Sequence, residues 1–257
     1  MYRIIFIALL FSLAQCPIMA QEFESKPIWK ETFAFQRKLN TEDWNAGTNL
    51  NDKTLNTAFN GKMIEIKKGN LVLKALKQTD SNGITKIKMP YINTFQKHSF
   101  KYGKLKIKAK FPTGKGVWPA IWLVSENRDK FPKGEIDVFE YINCLPNKQF
   151  QGNIHYVISQ NIRKMKNAYY KTDITMFHVY TMEWTPNEIR LKCDDELFLT
   201  YTKDEPNGWV FDENYYLILN LAFGSGWGAS CGVDMDALPC QMEIDWIKYY
   251  KYKEKKQ

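Results

Sequence analysis

Three carboxylates fall within six residues in the segment Gly134-Glu135-Ile136-Asp137-Val138-Phe139-Glu140. The intervening residues are apolar enough for a strand, and strand side chains alternate between faces. In a flat strand Glu135, Asp137 and Phe139 share one face and Glu140 points the other way. One inserted residue, a β-bulge, brings Glu140 back beside the first two acids, and bulges recur at active sites because they re-aim a side chain. Like charges held so close resist simultaneous ionisation, so one pKa is driven up and a proton is shared. That is the chemistry of a retaining glycosidase, with one carboxylate as nucleophile and a protonated carboxyl about 5–5.5 Å away as acid/base. Five residues of flat strand span about 16 Å, so convergence of the two glutamates requires both the bulge and curvature. The plain alternatives are an acidic edge strand and a metal site built from carboxylates.

The elements that must position these acids read as strands throughout. Met63-Ile64-Glu65-Ile66, Leu71-Val72-Leu73-Lys74-Ala75, Ile189-Arg190-Leu191-Lys192 and Phe198-Leu199 are short apolar or alternating runs. Turn signals at Asn60-Gly61, Lys68-Gly69-Asn70 and Asn82-Gly83 punctuate them. Long amphipathic helices are absent, so the pattern predicts an all-β, two-sheet sandwich. A length of 257 residues suits one large β domain, and no repeat or Pro/Gly/Ser-rich linker divides it.

The first twenty residues read differently. Arg3 precedes an apolar run from Ile4 to Ala14, followed by small and polar residues to Ala20. This predicts a secretory signal peptide over 1–20, too short to span a membrane, and a single catalytic domain over 21–257. Leu13-Ala14-Gln15-Cys16 offers a competing lipoprotein signal with Cys16 acylated, against which Gln15 is an awkward fit. The chain is therefore expected to be exported, as a soluble or surface-anchored protein without a transmembrane segment.

After cleavage Cys144, Cys193, Cys231 and Cys240 remain, an even number that suits an oxidising compartment. Cys231 and Cys240 flank a short loop that a disulfide between them would close; buried free thiols are the alternative. The formal charge of +8 falls to +7 once Arg3 is removed. Much of it lies in Lys104-Leu105-Lys106-Ile107-Lys108-Ala109-Lys110, where every second residue is Lys, the mark of a strand with one solvated face. No nucleic-acid motif accompanies this charge, and a monomer is expected.

The acid segment resembles that of glycoside hydrolase family 16, whose bulged active-site strand reads Glu-x-Asp-x-x-Glu. The likeness continues in Phe100-Lys101-Tyr102-Gly103, in Gly116-Val117-Trp118-Pro119-Ala120-Ile121-Trp122-Leu123, and in Phe177-His178-Val179-Tyr180 with Glu183-Trp184-Thr185-Pro186. Tyr216 to Leu221 and Met242-Glu243-Ile244-Asp245-Trp246 resemble the last two core strands, so the likeness runs from about residue 28 to 250. The resemblance implies a concanavalin-like β-jelly roll with an open cleft on its concave sheet, suited to internal attack on a long glycan. It also implies Glu135 as nucleophile, Asp137 as its orienting partner and Glu140 as acid/base. Trp118 resembles the cleft tryptophan of the family, and His155 stands where a histidine often lies near the acid/base.

The remaining assignments mix resemblance with side-chain chemistry. Aromatic rings meet the apolar faces of sugars, which makes Trp227 in its glycine-rich loop a candidate contact. Trp122 serves equally as cleft wall or core, Trp184 and Trp246 read as core, His178 as structural, and Asn220 as facing either cleft or core. No cofactor is required. The family often holds a structural calcium, and Gly69 and Asp245 match two contributors. Glu31-Thr32-Phe33 stands where the family shows Asp-Glu-Phe, and the lost carboxylate removes a hard oxygen ligand.

The Asn-Asn-Glu loop typical of β-1,3- and mixed-linkage glucanases is not recognisable in Asn49 to Asn56. The expected partner is a polysaccharide or oligosaccharide, with β-galactosyl polymers, including host-type glycans, slightly ahead of β-glucans. A sugar hydroxyl replacing water would give transglycosylation with the same residues. A non-catalytic carbohydrate-binding protein is the rival from another class, since this architecture also serves lectins.

Overall fold

In a computed structural model, residues 22–46, 63–127 and 129–254 are described. The expected signal peptide with Cys16, the Asn49–Asn56 loop and the Asn60-Gly61 turn lie outside them. The alternating runs do form strands, and these pair in two antiparallel sheets. One has nine strands among the described residues. Its main path runs Glu196–Thr202, Glu188–Cys193, His178–Trp184, Gly103–Lys110, Cys240–Lys251, Asn70–Thr79, Ile64–Lys67. The other has seven, in the order Arg163–Tyr170, Phe150–Val157, Lys133–Glu140, Val117–Ser125, Tyr215–Phe223, Tyr91–Asn93, Asn45–Ala46. This is the expected jelly-roll sandwich. Among the described residues no helix is long and apolar enough to cross a membrane.

The lysine strand obeys its pattern. Gly103, Leu105, Ile107 and Ala109 are buried against the other sheet while Lys104, Lys106, Lys108 and Lys110 stand on the outer face. Phe139, from the acid strand, stacks on Phe111 with ring centroids 3.7 Å apart and meets Phe150 and Tyr180 at 4.9 and 5.0 Å. Burying one such ring is worth about 1.5–3 kcal/mol, so the sheet that carries the acids is anchored from beneath by aromatic packing.

Two expectations are corrected. Trp246 is not core but half-buried on the outer face, with Lys248 Nζ 4.3 Å from its ring centroid. The register shifts between Ile244 and Trp246, so a bulge at Asp245 turns the tryptophan outward while Ile247 returns to the core. Cys231 does not pair with Cys240. It bonds Cys144, 87 residues away, with Cα atoms 5.5 Å apart, within the span a disulfide requires. Cys193 and Cys240 are free, and burial pushes both thiols up to about 12. Trp184 is core as expected, its indole N–H donating to the Phe211 carbonyl at 3.1 Å. His178 is held between Asp194, Thr172 and the Asp173 carbonyl, a structural placement.

Candidate active site

The bulge lies in the acid strand. Asp137 pairs with Trp122 on one side and Asn153 on the other, while Glu140 pairs with Ala120 and Gln151. The acid strand thus advances three residues where each neighbour advances two, and Val138 and Phe139 both turn into the core. Glu140 returns to the face that carries Glu135 and Asp137. Gly134 begins this stretch because nothing larger fits. A Cβ there would lie 2.1 Å from Tyr215 Oη and 2.4 Å from Phe211 Cε1.

The acids open onto a cleft of about 920 Å³ on the seven-stranded sheet. Neighbouring strands supply alternate residues to it, Trp118 and Trp122 from one, Gln151, Asn153 and His155 from another. A second cavity of about 460 Å³ shares Trp122, Glu135 and Arg163, so the open space continues past the Glu135 end of the row.

Glu140 accepts hydrogen bonds from Trp118 Nε1 at 3.1 Å, Asn153 Nδ2 at 2.8 Å and Gln151 Nε2 at 3.5 Å. Burial and then the charge of Asp137 push its pKa up to about 8, despite the opposing indole bond. Asp137, only 2% exposed, is raised well above the usual carboxylate range by burial and then by Glu135. Arg163 and hydrogen bonds with Asn153 and Glu140 pull it part of the way back. A proton is therefore held within the Asp137–Glu140 pair at neutral pH.

Glu135 takes a two-pronged contact from Arg163, Nη1 to Oε1 at 3.3 Å and Nη2 to Oε2 at 3.4 Å. His155 Nε2 lies 2.9 Å from Asp137 Oδ2 and 3.7 Å from Glu135 Oε1. The shorter contact is out of line for a hydrogen bond, leaving Asp137 Oδ2 and His155 Nδ1 buried without a hydrogen-bond partner. Burial pushes the imidazole pKa down, which favours its neutral form.

All seven expected site residues line this one cleft. His155 lies opposite Glu135 in the pairing register and beside Asp137, nearer that end of the row than Glu140. Trp122 is cleft wall, its indole donating to Asn220 Oδ1 at 2.7 Å, so Asn220 also faces the cleft. Trp118 and Trp227 meet edge to face at 5.9 Å. Gly228 lets them do so, since a Cβ there would fall 2.8 Å from Trp118 Cβ. The Cys144–Cys231 bond ties the turn carrying Trp227 to the chain just beyond the acid strand.

Arg163, Asn153 and Gln151 were not anticipated. The alternation Gln151-x-Asn153-x-His155 carries a signal, because three polar residues at period two must share a face. Arg163 carries none, since its approach to Glu135 depends on which strand lies outermost.

The calcium contributors fit an ion poorly. Asp245 holds Lys108 Nζ at 2.9 Å, and Glu31 accepts Trp44 Nε1 at 3.3 Å and Gln36 Nε2 at 3.5 Å. Both carboxylates are engaged by N–H donors, whereas calcium needs six to eight oxygens.

The fold is thus a two-sheet sandwich whose aromatic-sided cleft carries a row of three closely spaced carboxyls. Residues 51–248 match the sequence profile of the glycosyl hydrolases family 16, and the chain belongs to that family. It is 34% identical over 173 residues to a β-glucanase of Rhodothermus marinus, covering 62% of this chain and 60% of that protein. It is 37% identical over 171 residues to a keratan-sulfate endo-1,4-β-galactosidase of Sphingobacterium multivorum, covering 62% of this chain and 39% of that protein. Its fold matches the X-ray structure of the laminarinase from Rhodothermus marinus with a TM-score of 0.78 at 26% identity, over 91% of this chain and all of that one. The chain thus spans less than two thirds of the length of the curated relatives it matches.

Proposed function

We propose that this glycosidase is a retaining endo-enzyme working by double displacement. The observation that carries the reading is the pairing of a Glu135 carboxylate held by Arg163 with a Glu140 carboxyl raised to about 8 on the same bulged strand. Glu135 attacks the anomeric carbon while Glu140 gives its proton to the departing oxygen, forming a glycosyl–enzyme ester and a free sugar end. Glu140 then takes a proton from water, whose oxygen attacks the same carbon and releases Glu135 with configuration retained. Asp137 exchanges its proton with the neighbouring acids across this cycle.

The open cleft and its extension past Glu135 suit an internal segment of a long glycan. The substrate reading favours β-galactosyl glycans, supported by the 37% identity to a protein named for keratan sulfate. An endo-β-1,3(4)-glucanase is the second reading, supported about equally by the β-glucanase and laminarinase likenesses. Export is part of the proposal, and the Cys144–Cys231 disulfide supports it because such bonds persist in oxidising compartments.

The test incubates the mature chain and its Glu135→Gln variant with laminarin, mixed-linkage glucan, agarose, carrageenan, keratan-type and mucin glycans. Oligosaccharides from one polymer, absent with the variant, are expected, with NMR following the anomeric configuration. An inverted first product, or full turnover by the variant, overturns the mechanism. Binding without cleavage by the unaltered chain would instead support the carbohydrate-binding rival.

A further inference from the structure

One potential ligand atom from each of His155, Asp137 and Glu135 lies within 4.8 Å of the other two. From His155 Nε2 the edges of that triangle to Asp137 Oδ2 and Glu135 Oε1 are 2.9 and 3.7 Å. A tetrahedral ion with ligand bonds of about 2.0–2.1 Å requires ligand atoms about 3.3 Å apart, the value these edges bracket. Asp137 is 2% exposed, and its Oδ2 has no hydrogen-bond donor while facing this triangle. A buried carboxyl oxygen in that state can take a cation in place of the proton shared with Glu140.

We propose that Glu135, Asp137 and His155 form a binding site for a divalent transition-metal ion of the zinc class, filled in competition with the sugar substrate. Two carboxylates and one imidazole suit zinc or copper, whereas calcium and magnesium require more oxygens than the site presents. The cleft leaves the fourth position open to water. Two features hold the affinity down. Arg163 already engages both oxygens of Glu135, and His155 Nδ1 is buried without the acceptor that normally orients a metal-bound histidine. The site rests on atomic positions alone and stands whichever glycan the cleft accepts.

The experiment titrates the metal-free chain with Co²⁺, read by visible absorption of the bound ion, and displaces it with Zn²⁺ in a calorimeter. One equivalent per chain is expected. His155→Ala is expected to weaken binding by at least about tenfold, and Glu140→Gln, which keeps all three ligands, to leave it unchanged. Arg163→Ala removes the competing cation and is expected to tighten binding severalfold, which keeps the test open should His155→Ala fold poorly. The other cluster with ligand potential among the described residues is His178, Cys193 and Asp194, so a loss of binding in His178→Ala that is absent in His155→Ala overturns the assignment. Absence of saturable binding at millimolar Co²⁺ overturns it as well. Zinc should also stop hydrolysis, reversibly with a chelator. Metal binding by a chain that cleaves no glycan would uphold this site while sinking the hydrolase reading.

Discussion

Each sheet carries a row of like charges, and the two rows are handled in opposite ways. On the outer face of the nine-stranded sheet, Lys106, Lys108 and Lys110 each meet an acid, Asp195, Asp245 and Glu243, at 2.9, 2.9 and 3.1 Å. In the cleft, Glu135 alone has an arginine, while Asp137 and Glu140 face each other with amide, indole and imidazole groups around them. The lysine row lies half-buried at the sheet's outer surface, where repulsion is screened and partners are within reach. The acid row is centred on the buried Asp137, so its repulsion is settled by keeping a proton. A charge left unpaired in the interior is a store of reactivity, whereas one paired at the surface contributes little beyond solubility.

The comparison breaks most sharply at Glu140. Replacing it with Gln removes the transferable proton, and kcat/KM is expected to fall by about 10²–10⁴. The same variant should be more stable than the parent at alkaline pH. Glu140's folded pKa of about 8 lies above its ordinary value of 4.5. The folded state therefore binds the extra proton between those values, and the parent loses stability as pH rises through that window. Denaturant melts at pH 4 and pH 9 should show no gain at the lower pH and a gain of a few kcal/mol at the higher, at about 1.4 kcal/mol per pKa unit. Equal stability of the two proteins at pH 9 would remove the argument that this acid is frustrated.

A second break removes the support beneath the row. Phe139→Ala should cost about 3–5 kcal/mol in urea unfolding, because the ring stacks on Phe111 and fills the core under the bulge. A cost below about 1 kcal/mol would mean that the bulge does not depend on this packing.

Asp137→Asn sharpens the comparison further. The Asp137 charge is the second cause raising Glu140. Its loss should move the alkaline limb of the kcat/KM profile to lower pH, alongside a drop in rate. An unmoved limb would assign the raised pKa of Glu140 to burial and Glu135 without Asp137.

Much of this is legible in the sequence alone. The lysine strand, the turns at Lys68-Gly69 and Asn82-Gly83, and the sandwich all follow from period-two alternation and turn chemistry. The acid strand was legible through its violation of that period, since Glu140 joins Asp137 only if one residue is extra. The same reasoning failed at Trp246, where another bulge follows an alternation that is regular from Met242 to Trp246 and is broken only by the adjacent Ile247. Long-range pairing was beyond reach. Cys144 and Cys231 meet because two loops fall at one end of the cleft, and Arg163 finds Glu135 from a strand across the sheet. Neither closeness has a trace in local spacing.

The smallest effect belongs to the lysine row and completes the contrast. Lys108→Ala deletes a half-buried surface partner of Asp245 and a cation 5.6 Å from the Phe177 ring centroid. A pair in that setting is worth about 0–1 kcal/mol, so Tm should fall by no more than a few degrees and kcat/KM should not change. Salt supplies the decisive control. Surface pairs are screened within about 10 Å at 0.1 M ionic strength, so the stability difference between Lys108→Ala and its parent should shrink as salt is added. The alkaline stability gain of Glu140→Gln should persist under the same salt, because its cause is burial. If instead both differences vanished together, the two rows would be electrostatically alike, and the buried acids would owe their shared proton to long-range charge rather than to their place beneath the cleft.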